Sequence, residues 1–180
     1  MRIIGGKFRG RSLQGPSDIK TRPTSDRTRE SIFNLLENGL HLQCEGLSIL
    51  DLYAGTGALG IEALSRGASF CLFVEKHGPA LKILKKNTEN FSEAQVLSKD
   101  VLFLKKNDYT AFDLVFLDPP YHKGLIYLTF KRLVSGQYLK EGTYLIIETS
   151  DKEKIEIEHP FSKIKEKIYG ETKVTFIKYK

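Results

Sequence analysis

Several kinds of residue and pattern are scarce in this 180-residue chain. It holds only two cysteines, Cys44 and Cys71. Two thiols cannot build the disulfide framework of a small secreted domain or a cysteine-rich metal cluster, and such usage fits a reducing, cytoplasmic setting. The four histidines, His41, His77, His122 and His159, are scattered without ligand spacing, so no metal is expected. His122 is read as a loop residue or a substrate contact. No apolar run approaches the roughly 20 residues that cross a bilayer, so no membrane partner is expected. The first ten residues are partly basic but carry no apolar h-region, and no signal peptide is read there. There is no internal repeat and no low-complexity tract.

What the chain does have is an ordinary globular balance, with 41% apolar and 28% charged residues. That balance excludes wholesale disorder and collagen-like repeats. The length suits one domain over residues 1–180. The net charge of +6 is unevenly placed. Residues 1–29 hold eight basic residues (Arg2, Lys7, Arg9, Arg11, Lys20, Arg22, Arg27 and Arg29) against Asp18 and Asp26, so the remaining residues balance to zero. A basic block of this kind points to a polyanion, nucleic acid first, or to a solubilising tail.

Residues 1–23 read as an extended or hairpin-like basic arm, interrupted by Gly5, Gly6, Gly10, Gly15, Pro16 and Pro23. Thr24-Ser25-Asp26 resembles a helix N-cap region, and a leading helix is expected over residues 24–38. Ile32, Phe33, Leu35 and Leu36 would form its apolar side, with Arg27 and Arg29 projecting elsewhere. From residue 48 strands and helices alternate. Strands are expected at 48–53, 70–75, 95–99, 113–117 and 143–148, and helices at 59–65, 79–90 and 125–133. This pattern implies a doubly wound α/β fold with a mostly parallel sheet. Residues 164–169 and 172–178 flank Gly170-Glu171 and read as a C-terminal antiparallel hairpin.

The segment LDLYAGTGALG at 50–60 follows a strand and opens a helix. Gly55, Gly57 and Gly60 match G-x-G-x-x-G, which provides a tight turn and close backbone approach to a ligand. Glu75 ends the next strand, where an acid grips ribose hydroxyls. A dinucleotide and S-adenosylmethionine both fit such a loop, and so does a plain βα turn. Asp51 separates the first two, because a carboxylate beside the loop repels a pyrophosphate but suits an ammonium and a sulfonium. Asp51, Glu75, Asp100 and Asp118 fall at or just past four strand ends, where doubly wound sheets bind ligands. Asp100 serves equally well as the N-cap of a short helix over 101–105.

Asp118-Pro119-Pro120-Tyr121 follows the strand at 113–117. Two prolines stiffen the turn, remove two N–H donors and leave carbonyls unengaged. Asp118 and the Pro119 carbonyl can each accept one N–H of an exocyclic amino group, while Tyr121 stacks on its ring. Holding both N–H groups out of the ring plane directs the nitrogen lone pair at an electrophilic methyl. The rate gain comes from positioning and electrostatics. A simple Pro-Pro stop after a strand is the bland alternative.

A glycine loop after the first strand with Asp-Pro-Pro-Tyr after the fourth resembles the class I S-adenosylmethionine-dependent amino-methyltransferases. The resemblance extends to residues 2–11 (RIIGGKFRGR), 22–34 (RPTSDRTRESIFN), 50–68 and 112–121, which look like the RsmD family. The resemblance implies a Rossmann-like methyltransferase that modifies N2 of a guanine in 16S ribosomal RNA. It implies that Asp51, Gly55, Thr56 and Gly57 line the methionine part of the cofactor, with Tyr53 and Ala54 also among the cofactor-binding residues. Glu75 would hold the ribose, Asp100 and Val101 would flank the adenine, and Lys76 would belong to the same cofactor-binding set. Asp118, Pro119, Pro120 and Tyr121 would hold the guanine amino group. Arg22, Thr24 and Arg27 would close over the site or touch RNA, joined on RNA by Arg2, Lys7, Arg9 and Arg11. Tyr53, Thr56 and Tyr121 stand where many family members have Phe, Ser and Phe, swaps that keep size and stacking.

The expected partner is 16S ribosomal RNA or an assembling small subunit, met by a monomer. A DNA adenine-N6 methyltransferase shares the catalytic turn, but the core uses nearly the whole chain and leaves no target-recognition domain for reading base edges in a groove. A nicotinamide oxidoreductase has no use for Asp51 or Asp-Pro-Pro-Tyr, and a silent RNA-binding module has none for the full set of acids.

Overall fold

The structure is a computed structural model, and it describes residues 1–15, 26–120 and 124–180. Seven strands form one sheet: β1 (Ser48–Leu52), β2 (Phe70–Glu75), β3 (Ala94–Ser98), β4 (Phe112–Leu117), β5 (Leu139–Ser150), β6 (Phe161–Tyr169) and β7 (Thr172–Tyr179). The order is β3-β2-β1-β4-β5-β7-β6. The first five strands run parallel, and β7 pairs antiparallel with both β5 and β6. The expected C-terminal hairpin is therefore present, with β7 inserted between its partner and the parallel sheet. Helices α1 (Asp26–Asn34), α2 (Ala58–Ser65), α3 (Gly78–Thr88) and α4 (Leu125–Ser135) flank the sheet. Among the described residues no helix is long and apolar enough to cross a membrane.

The central strands β1, β2 and β4 are buried on both faces, as a parallel sheet between helices requires, while the edge strands β3 and β6 are largely open. Alternate residues serve opposite cores. Ile49, Cys71, Phe73, Leu114, Phe116 and Ile146 face one core, which α1, α2, α3 and the arm supply with Ile32, Phe33, Leu59, Leu84, Ile3 and Leu13. Leu50, Leu72, Val74, Val115, Leu117 and Leu145 face the other, closed by Ile126, Phe130 and Leu133 of α4. Helix α2 sits so close to β2 that a Cβ on Gly60 would lie 2.3 Å from Phe73 Cε1 and 2.7 Å from Cys71 Sγ. Both cysteines are buried and unlinked.

The arm is a docked hairpin. Ile3 N–H donates to the Arg11 carbonyl at 2.9 Å and Gly10 N–H to the Ile3 carbonyl at 2.8 Å. Its turn rests on the end of α2, where Lys7 N–H donates to the Ser65 carbonyl at 2.6 Å. Glu62, only 1% exposed, holds the hairpin: its carboxylate accepts Ile4 N–H at 2.8 Å and Gly5 N–H at 2.7 Å. The same carboxylate accepts Arg66 Nε at 2.9 Å and lies 3.6 Å from Arg29 Nε.

Arg29 does not project away from the apolar side. It is fully buried, donates to the Arg2 carbonyl and pairs with Asp26 at 3.0 Å. The reason is helical spacing: Ile32, Phe33 and Leu36 lie three, four and seven residues on, so Arg29 shares their face. Among the described residues the leading helix runs from Asp26 to Gly39, close to its expected end at residue 38. It is α-helical to Asn34 and then opens into one π turn over Leu35–Gly39, with Leu40 N–H reaching back to the Leu35 carbonyl. The start of that helix at Thr24-Ser25 lies outside the described residues. β5 runs past Glu148 to Ser150 because β7 continues to pair with it there.

Candidate functional site

The switch point of the sheet lies at β1, whose neighbours β2 and β4 are reached by chains leaving in opposite directions. Ligands of doubly wound sheets bind outside the strand ends at such a point. The loop after β1 begins at Tyr53, which has a left-handed φ of 57°. Gly55 and Gly57 follow with φ of 56° and 81°. A side chain at Gly57 would be strained by that φ and would also lie 2.5 Å from Leu84 Cδ1. Ala54 N–H bonds the Val74 carbonyl at 3.1 Å, and Gly57 N–H bonds the Ala54 carbonyl at 2.7 Å.

Glu75 is buried at the end of β2 and is oriented by three backbone donors. Its carboxylate accepts Gly55 N–H at 2.8 Å, Lys76 N–H at 2.8 Å and His77 N–H at 2.7 Å. Asp51, 3% exposed, accepts Gly60 N–H at 3.0 Å and so ties β1 to the first turn of α2. Burial raises the Asp51 carboxyl well above the ordinary carboxylate range, and the Asp118 and Glu75 charges add to the rise. Asp118 continues the β1–β4 ladder, its N–H reaching the Leu52 carbonyl at 3.4 Å. Its carboxyl is likewise raised, by burial first and then by Glu148 and Glu75. Pro119 is buried and Pro120 exposed.

These acids meet because they share strand parity. Asp51, Glu75, Asp118 and Glu148 each lie two residues beyond a residue of one core face: Ile49, Phe73, Phe116 and Ile146. Glu148, 2% exposed in β5, is the member that sequence reasoning missed. Counting by twos along the strand TYLIIE would have found it.

A second group gathers on the α4 side. Tyr53 Oη lies 2.7 Å from Thr129 Oγ1, and its phenol is raised by burial, with the Asp100 and Lys76 charges close enough to act on it. Lys76 Nζ pairs with Asp100 Oδ2 at 2.7 Å. That hydrogen bond is the main cause of the lowered Asp100 pKa. Asp100 Oδ1 accepts Leu102 N–H at 3.0 Å, so it does cap a helical turn. That turn is a short 3-10 segment, Val101–Phe103, and not a helix to residue 105. Val101 is 2% exposed and its side chain fills the α4-side core, so it presents no open face there. Thr56 offers its carbonyl to Asn87 Nδ2 at 2.9 Å.

Arg2, Lys7 and Arg9 of the arm and Arg27 of α1 are exposed. Arg11 is half-buried, its guanidinium 5.3 Å from the Phe91 ring centre. Arg2, Arg9 and Arg27 line a cleft of about 290 Å³ between hairpin and α1, together with Asp26 and Glu30. Tyr121, Arg22, Thr24 and His122 lie outside the described residues.

The strand order, the glycine loop at the switch point and the antiparallel β7 insertion define a Rossmann-like methyltransferase fold. A family model described as "Conserved hypothetical protein 95" matches residues 1–178. Ribosomal RNA small subunit methyltransferase D of Haemophilus influenzae is 36% identical over 176 residues, which cover 94% of this chain and 89% of that one. The protein of the same name from Escherichia coli K12 is 36% identical over 152 residues, covering 83% and 74%. The solved structure of yhhF from Escherichia coli superimposes with a TM-score of 0.83 at 32% identity, over 99% of this chain and 97% of that one. The chain belongs to the RsmD family.

Proposed function

We propose that the chain transfers a methyl group from S-adenosylmethionine to the exocyclic N2 of a guanine in 16S ribosomal RNA of the small subunit. Residues 1–180 would act as one methyltransferase domain in the cytoplasm. The observation that carries this reading is Asp118 at the switch point, followed by two prolines and facing Asp51 and Glu75. The names of the family relatives support ribosomal RNA as the substrate class.

The donor set suits the cofactor. Three backbone N–H groups fix the Glu75 carboxylate so that its remaining lone pairs are available to a ribose diol. Asp51 and Asp118 favour a cationic ligand, because each is held up by like charges that a positive group relieves. S-adenosylmethionine supplies a methyl on a sulfonium when bound. Asp118 and the Pro119 carbonyl accept the two N–H groups of the target amine and aim its lone pair. Fixed φ angles at Pro119 and Pro120 keep those acceptors in place without reorganisation. The raised Asp118 pKa makes its carboxylate a suitable acceptor for the proton that the amine sheds after transfer. Tyr121 would stack on the base, and the exposed cations Arg2, Lys7, Arg9 and Arg27 would meet phosphates. The half-buried Arg11 would join them, as would Arg22 further along the sequence.

The test is incubation with labelled S-adenosylmethionine and small-subunit particles from cells lacking the gene, followed by mapping of the modified base. Label on one guanine N2 is expected. Label on adenine N6, or no label in particles that a family relative does methylate, would overturn the assignment.

A further inference from the structure

Asn87 joins two parts of the molecule that the proposed reaction must bring together. It lies in α3 and is 6% exposed. Its Oδ1 accepts Gln14 N–H at 2.9 Å, and its Nδ2 donates to the Gln14 carbonyl at 3.1 Å. The second Nδ2 proton goes to the Thr56 carbonyl at 2.9 Å. Both donors and the acceptor of the amide are thus engaged. Gln14 ends the docked hairpin and precedes the basic stretch that carries Arg22. Thr56 lies between Gly55 and Gly57, whose left-handed φ values fix the direction of its peptide groups. Gly55 itself is held by Glu75. The glycine loop is therefore clamped by the candidate ribose-binding acid on one side and by Asn87 on the other.

We propose that Asn87 is a positioning residue that couples the cofactor loop to the nucleic-acid-binding arm. This rests on the methyltransferase reading above. A ligand that fixes the glycine loop fixes the Thr56 carbonyl. The Asn87 amide is then held, and with it the backbone of Gln14 at the end of the hairpin that carries Arg2, Lys7, Arg9 and Arg11. Reciprocity follows: RNA bound by the arm steadies the loop for the cofactor. A merely adhesive Asn87 would lower thermal stability and leave the two binding steps independent.

Two variants of the full chain separate these roles. Asn87→Asp keeps the acceptor for Gln14 N–H but turns the donor atom into an oxygen facing two carbonyls. Gln14→Pro removes the arm's own N–H and leaves α3 and the loop untouched. Affinity for small-subunit particles is measured with and without saturating S-adenosylhomocysteine. In the parent the ligand should tighten particle binding roughly tenfold, within the usual range of coupling energies, and in either folded variant by less than about twofold. Amide exchange at Gln14 in the parent should slow when S-adenosylhomocysteine is added. Parent-like coupling in both variants, or independent binding in a parent that takes up both ligands, would overturn the proposal. A parent that binds no S-adenosylhomocysteine would overturn the methyltransferase reading instead.

Discussion

Glu62→Gln tests whether the arm belongs to the fold. Glu62 Oε2 serves Ile4 N–H and faces Arg29; Oε1 serves Gly5 N–H and Arg66 Nε. A glutamine keeps one of these oxygens and sets an N–H₂ against the donors of the other. Whichever way the amide turns, one backbone N–H loses its acceptor, and either Arg66 Nε loses its acceptor or Arg29 loses this ion-pair partner. Removing one member of a buried ion pair costs about 3–5 kcal/mol, because the remaining charge stays buried. The lower end applies, since Arg29 keeps Asp26 at 3.0 Å and Arg66 keeps Glu37 at 2.7 Å. A loss of about 3 kcal/mol lowers Tm by roughly 6–12 °C in a chain of this size. Scanning calorimetry at neutral pH measures it, and amide exchange at Ile4 and Gly5 should accelerate. Added salt should change the loss little, because the pair is buried. A Tm within roughly 2 °C of the parent, with Ile4 and Gly5 exchanging as before, would refute the anchoring role.

Four further outcomes are expected. Gly60→Ala drives a methyl into Phe73 and Cys71 and should cost about 1–3 kcal/mol in thermal or urea unfolding; an unchanged midpoint would mean that α2 can lift away from β2 at no cost. Asp118→Asn should slow methyl transfer by about a hundredfold or more while calorimetry finds S-adenosylhomocysteine affinity changed only a few-fold, and near-normal turnover would remove Asp118 from the chemistry. Arg9→Glu with Arg27→Glu should weaken RNA binding and lower the slope of log affinity against log salt by about 2; an unaltered slope returns the basic block to a solubilising role. Burial holds the Asp51 and Asp118 carboxyls above their unfolded values, so the native state keeps protons that the unfolded chain has released. Stability should therefore fall as pH rises from the ordinary carboxylate range through those raised values, and Asp51→Asn should flatten that fall in a pH series of melting curves; an equally steep fall would clear Asp51.

The sheet was legible because its signals are local. Short β-rich runs such as DLVFL, bounded by turn residues, specify strands, and the Gly170-Glu171 turn specifies the hairpin. The acids at strand ends were legible for the same reason. Interactions between elements distant in sequence were harder to read. Nothing near Asn87 announces that it will meet Gln14 and Thr56, because those contacts form only when the arm folds over α2 and α3. Two omissions did carry a signal. Glu62 is the one charged residue in an otherwise apolar or small helix, ALGIEALS, all of which is buried, and a buried carboxylate requires donors. Arg29 falls in step with the apolar stripe of α1, which charge alone had concealed. Val101, expected from the resemblance to flank the adenine, starts the 3-10 turn and packs its side chain into the α4-side core.

Carboxylates perform two opposed tasks within this one fold, and their surroundings tell them apart. Glu62 is buried where structure is needed, and its oxygens meet two backbone N–H groups and two guanidinium groups. Desolvation there is offset by fixed donors, so the acid stabilises the arm's position. Asp51, buried, and Asp118, half-buried, sit under the reverse condition: their strongest charged neighbours are other carboxylates on the same face of the sheet. Held ionised side by side, Asp51 and Asp118 raise the free energy of the native state. On the proposed function, a cationic ligand at the switch point, beside a glycine loop shaped for close approach, would relieve that repulsion. The basic arm carries the complementary charge on the outside, and it is Glu62, an acid outside that cluster, that holds the arm where a polyanion can be met.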